Sequence, residues 1–117
     1  MSDLYIGLMS GTSLDGIDGV LADFSGPRLR VTHHASAAFA PALRAELLAL
    51  NTPGDNELHR AALAGNALSR SYAEVVHTLL QRSGHPASAI RAIGAHGQTV
   101  PHRPQEFDGT GYTLQLG

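Results

Sequence analysis

The sequence predicts an α/β fold in which a three-stranded antiparallel meander is followed by helices and then by further strands. Three observations support this prediction. Short apolar runs separated by turn residues open the chain, a long helical stripe of apolar residues fills its middle, and two more strand-like runs follow. Strands on either side of a long helix are typical of parallel pairing in an α/β architecture.

The first three strands are predicted from short apolar runs and the turns between them. The runs over residues 4–9 and 16–24 flank a segment rich in Gly, Ser, Thr and Asp, which indicates a β-hairpin. A Gly-Pro turn follows, and the alternation over residues 29–35 predicts a third strand with one solvent-facing side. His33 and His34 are adjacent on that strand and point to opposite faces, which argues against a shared metal site.

Two helices are predicted next. A short helix over residues 41–50 begins with a proline, which suits a first helical turn, and repeats leucine on one face. A long helix over residues 55–83, with Asp55 or Asn56 as its N-cap, ends at a Gly and a Pro. Its apolar stripe consists of Leu58, Ala61, Ala62, Leu68, Tyr72, Val75, Val76, Leu79 and Leu80.

A fourth strand is predicted over residues 89–96, which are apolar on both faces except for Arg91 and therefore indicate a buried strand. A loop is expected after it, and polar side chains concentrate there, as sites do at strand ends of α/β folds. These side chains are His96, Gln98, Thr99, His102 and Arg103. Residues 112–116 alternate like a final strand.

Bulk composition narrows the function classes. The 117 residues correspond to one domain, and a net charge of −2 provides no basic surface for nucleic acid or an anionic membrane. The absence of cysteine excludes disulfides and thiolate chemistry. There is neither a signal-peptide pattern nor an apolar stretch near ~18 residues, so we expect a cytoplasmic protein without membrane partners.

Residues 11–18, between the first two strands, combine glycines, hydroxyls and carboxylates. The first glycine allows positive φ and a close ligand, and Thr12 and Ser13 add hydroxyls beside backbone N–H groups that suit a phosphate. Asp15 and Asp18 beside a phosphate call for a divalent cation such as Mg²⁺. The same residue types also build ordinary hairpin turns that bind nothing, so both interpretations stay open. The segment matches neither a P-loop nor a dinucleotide fingerprint.

Specific motifs favour the binding interpretation. Gly11-Thr-Ser-Leu-Asp-Gly-Ile-Asp18 resembles the GTSxDGxD phosphate signature of the 1,6-anhydro-N-acetylmuramic acid kinases, which are similar to actin, sugar kinases and heat-shock ATPases. Gly94-Ala-His-Gly-Gln-Thr-Val-Pro-His-Arg-Pro104 and Tyr112-Thr-Leu-Gln-Leu-Gly117 resemble the family's GxHGQTxxHxP and TLQxG segments. The resemblance spans essentially the whole chain and implies a ribonuclease-H-like (actin-like ATPase) half-domain.

The resemblance implies an ATP-dependent phosphotransferase that acts on a sugar hydroxyl. Phosphoryl transfer from ATP to the sugar would be coupled to opening of the 1,6-anhydro ring by water, giving N-acetylmuramic acid 6-phosphate and ADP in peptidoglycan recycling. ATP and Mg²⁺ are the implied cofactors, and a homodimer is a further expectation.

The implied site has two parts. The ATP-binding residues are Gly11, Thr12, Ser13, Leu14, Asp15, Gly16, Ile17 and Asp18. Asp15 and Asp18 would orient Mg²⁺-bound water or brace the loop. His96, Gln98 and His102 are candidates for the sugar side or for shaping the cleft; the alternative is a hydrogen-bonded turn without a ligand.

The resemblance implies that the catalytic base, an Asp, lies beyond Gly117, so residues 1–117 are expected to be a truncated N-terminal part of the kinase domain. Because general-base help is worth about 10²–10⁴-fold, this part alone is expected to be inactive. One alternative is a non-catalytic binding or assembly module. A ribonuclease-H-like nuclease with Asp15 and Asp18 as metal ligands is weaker, since more carboxylates and a basic face are missing.

Overall fold

A computed structural model describes residues 3–10, 16–96, 98–104 and 111–116. The described strands are β1 (Leu4–Ser10), β2 (Gly16–Asp23), β3 (Arg30–Ala38), β4 (Ile90–His96), β5 (Gln98–Pro104) and β6 (Gly111–Leu116). The described helices are α1 (Pro41–Ala49) and α2 (Glu57–Ser83), and a 3₁₀ turn (Ala87–Ala89) precedes β4. The predicted α/β class is confirmed.

The main sheet has four strands in the order β3-β2-β1-β4. The pairs β1–β2 and β2–β3 are antiparallel, whereas β4 pairs with β1 in parallel. Both helices lie in the connection that leads from β3 to β4. The predicted meander and the predicted parallel pairing across the long helix are therefore confirmed, in the arrangement that the resemblance implies. Strands β5 and β6 form a separate antiparallel pair.

The core lies between one face of the sheet and the helices. Alternate residues of β1 and β2 point into it, and α2 packs mainly against β2 and β3. Gly19 of β2 allows this close approach, because a Cβ there would lie 2.5 Å from Val75 Cγ1 of α2. The buried α2 residues are Ala64, Leu68, Tyr72, Val75 and Leu79. The predicted stripe was thus too wide, since Leu58 and Ala62 are exposed.

The helix ends follow the predicted signals with one difference. Pro41 begins α1, and Gly84 ends α2 with a left-handed backbone. Asn56 occupies the predicted N-cap position of α2, but its backbone is left-handed (φ 54°) and its side chain makes no capping bond. Instead, the carboxylate of Glu57 accepts a hydrogen bond from the N–H of Gly54 at 2.6 Å. None of the helices in the described residues is long and apolar enough to cross a membrane.

Two predictions about the later strands are wrong. Strand β4 is not buried, because it pairs with β1 at the border of the described sheet and residues 91–96 are exposed. The segment after it is not a loop but strand β5. Its prolines argue against a strand in sequence, since proline donates no ladder hydrogen bond. In the structure the β5–β6 register shifts between Thr99 and His102, which places Pro101 at the irregularity.

Candidate functional site

The first motif lies where the β1–β2 hairpin turns. Its residues Gly11, Thr12, Ser13, Leu14 and Asp15 lie outside the described residues. The remaining three open β2: Gly16 is half-buried, Ile17 is buried in the core and Asp18 is exposed. Any contact of Ile17 with a ligand would therefore come from its backbone, whereas the carboxylate of Asp18 faces solvent.

The second motif spans the junction between β4 and β5. His96, the last residue of β4, is exposed, and Gln98, the first residue of β5, is buried. His102 lies further along β5, where it pairs with Thr113 of β6. The two motifs thus meet at one end of the main sheet, because β1 and β4 are parallel neighbours that end together.

Asp18 and His96 lie on the same face at that end. Met9 of β1 pairs with Asp18 on one side and with His96 on the other, and residues in register project to a common face. Two strand spacings separate the backbones of Asp18 and His96 by about 10 Å. The exposed side chain of Met9 lies between them on this face. Nε2 of His34 on β3 lies 3.5 Å from Oδ1 of Asp18.

On the opposite, buried face a polar cluster joins the two motifs. The hydroxyl of Ser10, the last residue of β1, donates to Oε1 of Gln98 at 2.8 Å. The hydroxyl of Tyr72 on α2 donates to the backbone carbonyl of His96, and its oxygen lies 3.2 Å from Oγ of Ser10. Ser10, Tyr72 and Gln98 are 5%, 6% and 4% exposed, so these contacts are shielded from water.

Sequence reasoning missed two members of this Ser10–Tyr72–Gln98 cluster. The sequence predicts Ser10 only as part of the turn region and Tyr72 only as part of the apolar stripe of the long helix. A signal was present, because a tyrosine buried on a core-facing stripe needs a hydrogen-bond partner for its hydroxyl. Gln98 is one of the residues predicted for the sugar side or the cleft. In the structure its side chain is buried and accepts a hydrogen bond from Ser10.

The described residues contain no group of three or more His, Asp and Glu side chains that could hold a metal ion. A single exposed carboxylate such as Asp18 is compatible with a Mg²⁺ ion that keeps several of its waters and is coordinated mainly by phosphate oxygens. The donor set at this end of the sheet therefore fits a cation that arrives with a nucleotide.

Comparison with known proteins identifies the family. The family model for anhydro-N-acetylmuramic acid kinase matches residues 3–117. A protein of that name from Variovorax paradoxus (strain S110) is 69% identical over 114 residues, which cover 97% of this chain and 30% of the relative. One from Albidiferax ferrireducens is 70% identical over 116 residues, covering 99% of this chain and 30% of the relative. One from Ralstonia nicotianae is 58% identical over 115 residues.

The chain thus spans about 30% of the length of the curated relatives that it matches. The family match over residues 3–117 includes both motifs and the Ser10–Tyr72–Gln98 cluster. The resemblance predicted from those motifs is confirmed: the chain belongs to the anhydro-N-acetylmuramic acid kinase family.

Proposed function

We propose that this chain supplies the phosphate-binding part of an ATP-dependent kinase that converts 1,6-anhydro-N-acetylmuramic acid to N-acetylmuramic acid 6-phosphate in peptidoglycan recycling. The observation that carries the proposal is the Ser10–Gln98 hydrogen bond, which ties the end of β1, next to the phosphate motif, to the second family motif. Family membership supports the reaction class. We place the reaction in the cytoplasm, where its donor ATP is available.

We assign the ATP phosphates to the hairpin. Backbone N–H groups and hydroxyls of residues 11–13 would contact them, and the exposed carboxylate of Asp18 would orient water on Mg²⁺. When bound, Mg²⁺ offsets the charge that the phosphates carry during transfer. Asp15 has the same proposed role as Asp18, or braces the loop.

We assign the sugar side to the second motif. His96 is exposed on the same face as Asp18, about 10 Å away across Met9, so a sugar hydroxyl bound there would approach a phosphate held by the hairpin. Gln98 is buried and engaged with Ser10, which supports a role in shaping the cleft. His102 is the second candidate for the sugar.

We further propose that residues 1–117 form the N-terminal part of the kinase domain, with the catalytic Asp beyond Gly117. Phosphoryl transfer relies on positioning both substrates, and ring opening needs a base for water. The polypeptide by itself is therefore expected to bind nucleotide weakly and to turn over no sugar.

A chimera tests this proposal. In the Variovorax paradoxus relative, the matched segment is replaced by this chain, and ADP release is measured with and without the anhydro sugar. Sugar-dependent ADP release comparable with that of the parent relative supports the proposal. A folded chimera that remains inactive beside an active parent contradicts it. Sugar turnover by the 117-residue polypeptide itself would contradict the expected inactivity.

A second candidate function is an assembly module that pairs with another copy of this chain, and it is favoured by the sheet face that carries Asp18. We call this face the open face, because no described element covers it; it forms an apolar groove of about 550 Å³. The groove is lined by Tyr5, Val20, Ala22, Phe24, Leu29 and Val31, among others. Exposed apolar surface of this kind favours association. Sedimentation at several concentrations tests the candidate: a mass rising above the monomer supports it, and a monomer throughout contradicts it.

A further inference from the structure

We infer that Tyr72, acting with Ser10, is a positioning residue that holds the phosphate hairpin in register with the β4–β5 junction. The inference rests on the proposed kinase function and adds a role for α2, which the motifs do not include. Tyr72 does not belong to the face that carries Asp18 and His96. It acts through Ser10 and through the backbone of His96.

The register of the sheet shows why such a residue is needed. The parallel β1–β4 ladder ends at the pair Met9–His96. Among the residues that the structure describes, no backbone pairing of β1 with β4 follows that pair. The Ser10–Gln98 bond and the Tyr72–His96 bond continue the connection with side chains.

The position of Tyr72 on α2 makes it a rigid anchor. Its neighbours on the same helical face, Leu68, Val75 and Leu79, are at most 1% exposed and belong to the core. The tyrosine ring is held among them, so its hydroxyl has a fixed place relative to the sheet. A buried, fully hydrogen-bonded cluster of this kind specifies one arrangement of its members.

Removing the Tyr72 hydroxyl leaves the ring in the core but takes a donor from the His96 carbonyl. Taking a hydrogen-bond donor away from a partly buried carbonyl carries a free-energy penalty, so the link between α2 and the junction weakens. The hairpin and the junction would then move relative to each other. Because displacement of reacting groups by about 1 Å can cost on the order of 10²-fold in rate, the turnover rate should suffer more than the affinity for either substrate.

The test compares Tyr72→Phe with Ser71→Ala in the chimera described above. Ser71 is the matched control because its hydroxyl, one residue away on α2, donates to the carbonyl of Ala67 within the helix at 3.1 Å, its one hydrogen bond among the described residues. For Tyr72→Phe we expect kcat to fall by about 10-fold or more while the KM for each substrate stays within about threefold. Ser71→Ala should match the unsubstituted chimera in all three constants.

A merely structural role predicts a different pattern. The Tm of Tyr72→Phe would fall, but kcat measured well below that Tm would equal the kcat of Ser71→Ala, and this result overturns the inference. If the unsubstituted chimera is inactive, the proposed kinase function fails, and hydrogen exchange then tests the inference alone. Tyr72→Phe should speed amide exchange in both residues 4–10 and residues 90–98. Exchange equal to that of Ser71→Ala overturns the inference.

A double-mutant cycle tests whether Ser10 and Tyr72 act together. If both residues hold one arrangement, Ser10→Ala combined with Tyr72→Phe should be hardly worse than the more harmful single change, in kcat and in amide exchange. Ser10→Thr, which keeps the hydroxyl, should restore much of what Ser10→Ala loses. Losses that simply multiply, or a Ser10→Thr variant as impaired as Ser10→Ala, contradict the joint role.

Discussion

Gly19 is a residue of β2 that packs closely against α2. An added methyl group would lie 2.5 Å from Val75 Cγ1, 3.0 Å from Leu8 Cδ2 and 3.2 Å from Leu79 Cδ1. All three neighbours are buried, so none can move aside freely. We expect Gly19→Ala to lower the free energy of unfolding by about 1–3 kcal/mol, as overpacked cores do, measured by urea titration. A variant as stable as the original chain would show that α2 can shift to accept the methyl group.

Asp23, at the far end of β2 from the site, gives a prediction about pH. Hydrogen bonds from the side chain and the backbone N–H of Ser25 lower the pKa of the Asp23 carboxyl below its ordinary value of 3.8, and Arg30 adds to this. A carboxyl with a lowered pKa stabilises the fold above its unfolded pKa and loses that contribution as pH falls through the folded value. Thermal melting should therefore find Asp23→Asn less stable than the original chain at neutral pH.

The difference in Tm should shrink as the pH falls below about 4 and vanish once Asp23 is protonated in both states. A Tm difference for Asp23→Asn that persists unchanged into strong acid would mean that the loss comes from packing rather than from charge.

At the scale of one element, α2 carries an internal glycine that the structure does not require. A Cβ added at Gly65 would meet nothing within 4 Å, and the helix continues on both sides of it. Glycine is less favourable than alanine in a helix interior by about 0.8–1.0 kcal/mol, so Gly65→Ala should stabilise the chain by up to that amount. Urea titration of Gly65→Ala and Gly19→Ala side by side tests this, because the same substitution should raise the free energy of unfolding at position 65 and lower it at position 19.

The elements differ in how well local sequence predicts them. The hairpin and both helices were predictable because their signals are local: apolar periodicity, a proline at the start of α1 and a glycine at the end of α2. Strand β5 was not, because its prolines oppose a strand and only the pairing with β6 overrides them. The exposure of β4 was not predictable either, because the apolar composition of a strand does not show whether another element packs against it.

At the scale of the whole molecule, the meeting of two distant motifs was predictable from the resemblance, but the means of joining them was not. The Ser10–Tyr72–Gln98 cluster depends on side chains from β1, α2 and β5. No short window of sequence contains all three. The assignments of residues 11–15 stay predictions, since those residues lie outside the described part of the chain.

The open face gives a prediction at the same scale. Val31 is 57% exposed on this face, and Leu58 is 88% exposed on α2, away from it. If the polypeptide associates through the open face, Val31→Lys should return it to the monomer in sedimentation, because a charge in an apolar contact is costly. Leu58→Lys should leave the mass unchanged. Equal effects of the two substitutions would mean that general solubility, rather than this face, controls association.

The parallel pairing of β1 with β4 also affects how the sheet can form during synthesis of the chain. Met9 and its partner His96 are separated by about 90 residues of chain. At a synthesis rate of about 5–20 residues per second, β4 leaves the ribosome on the order of 5–20 s after β1. During that interval one edge of β1 has no strand to pair with, and such edges invite contacts with other nascent chains. The position of β4 in the sheet thus delays the junction with β5 until well after the β1–β2 hairpin has been synthesised.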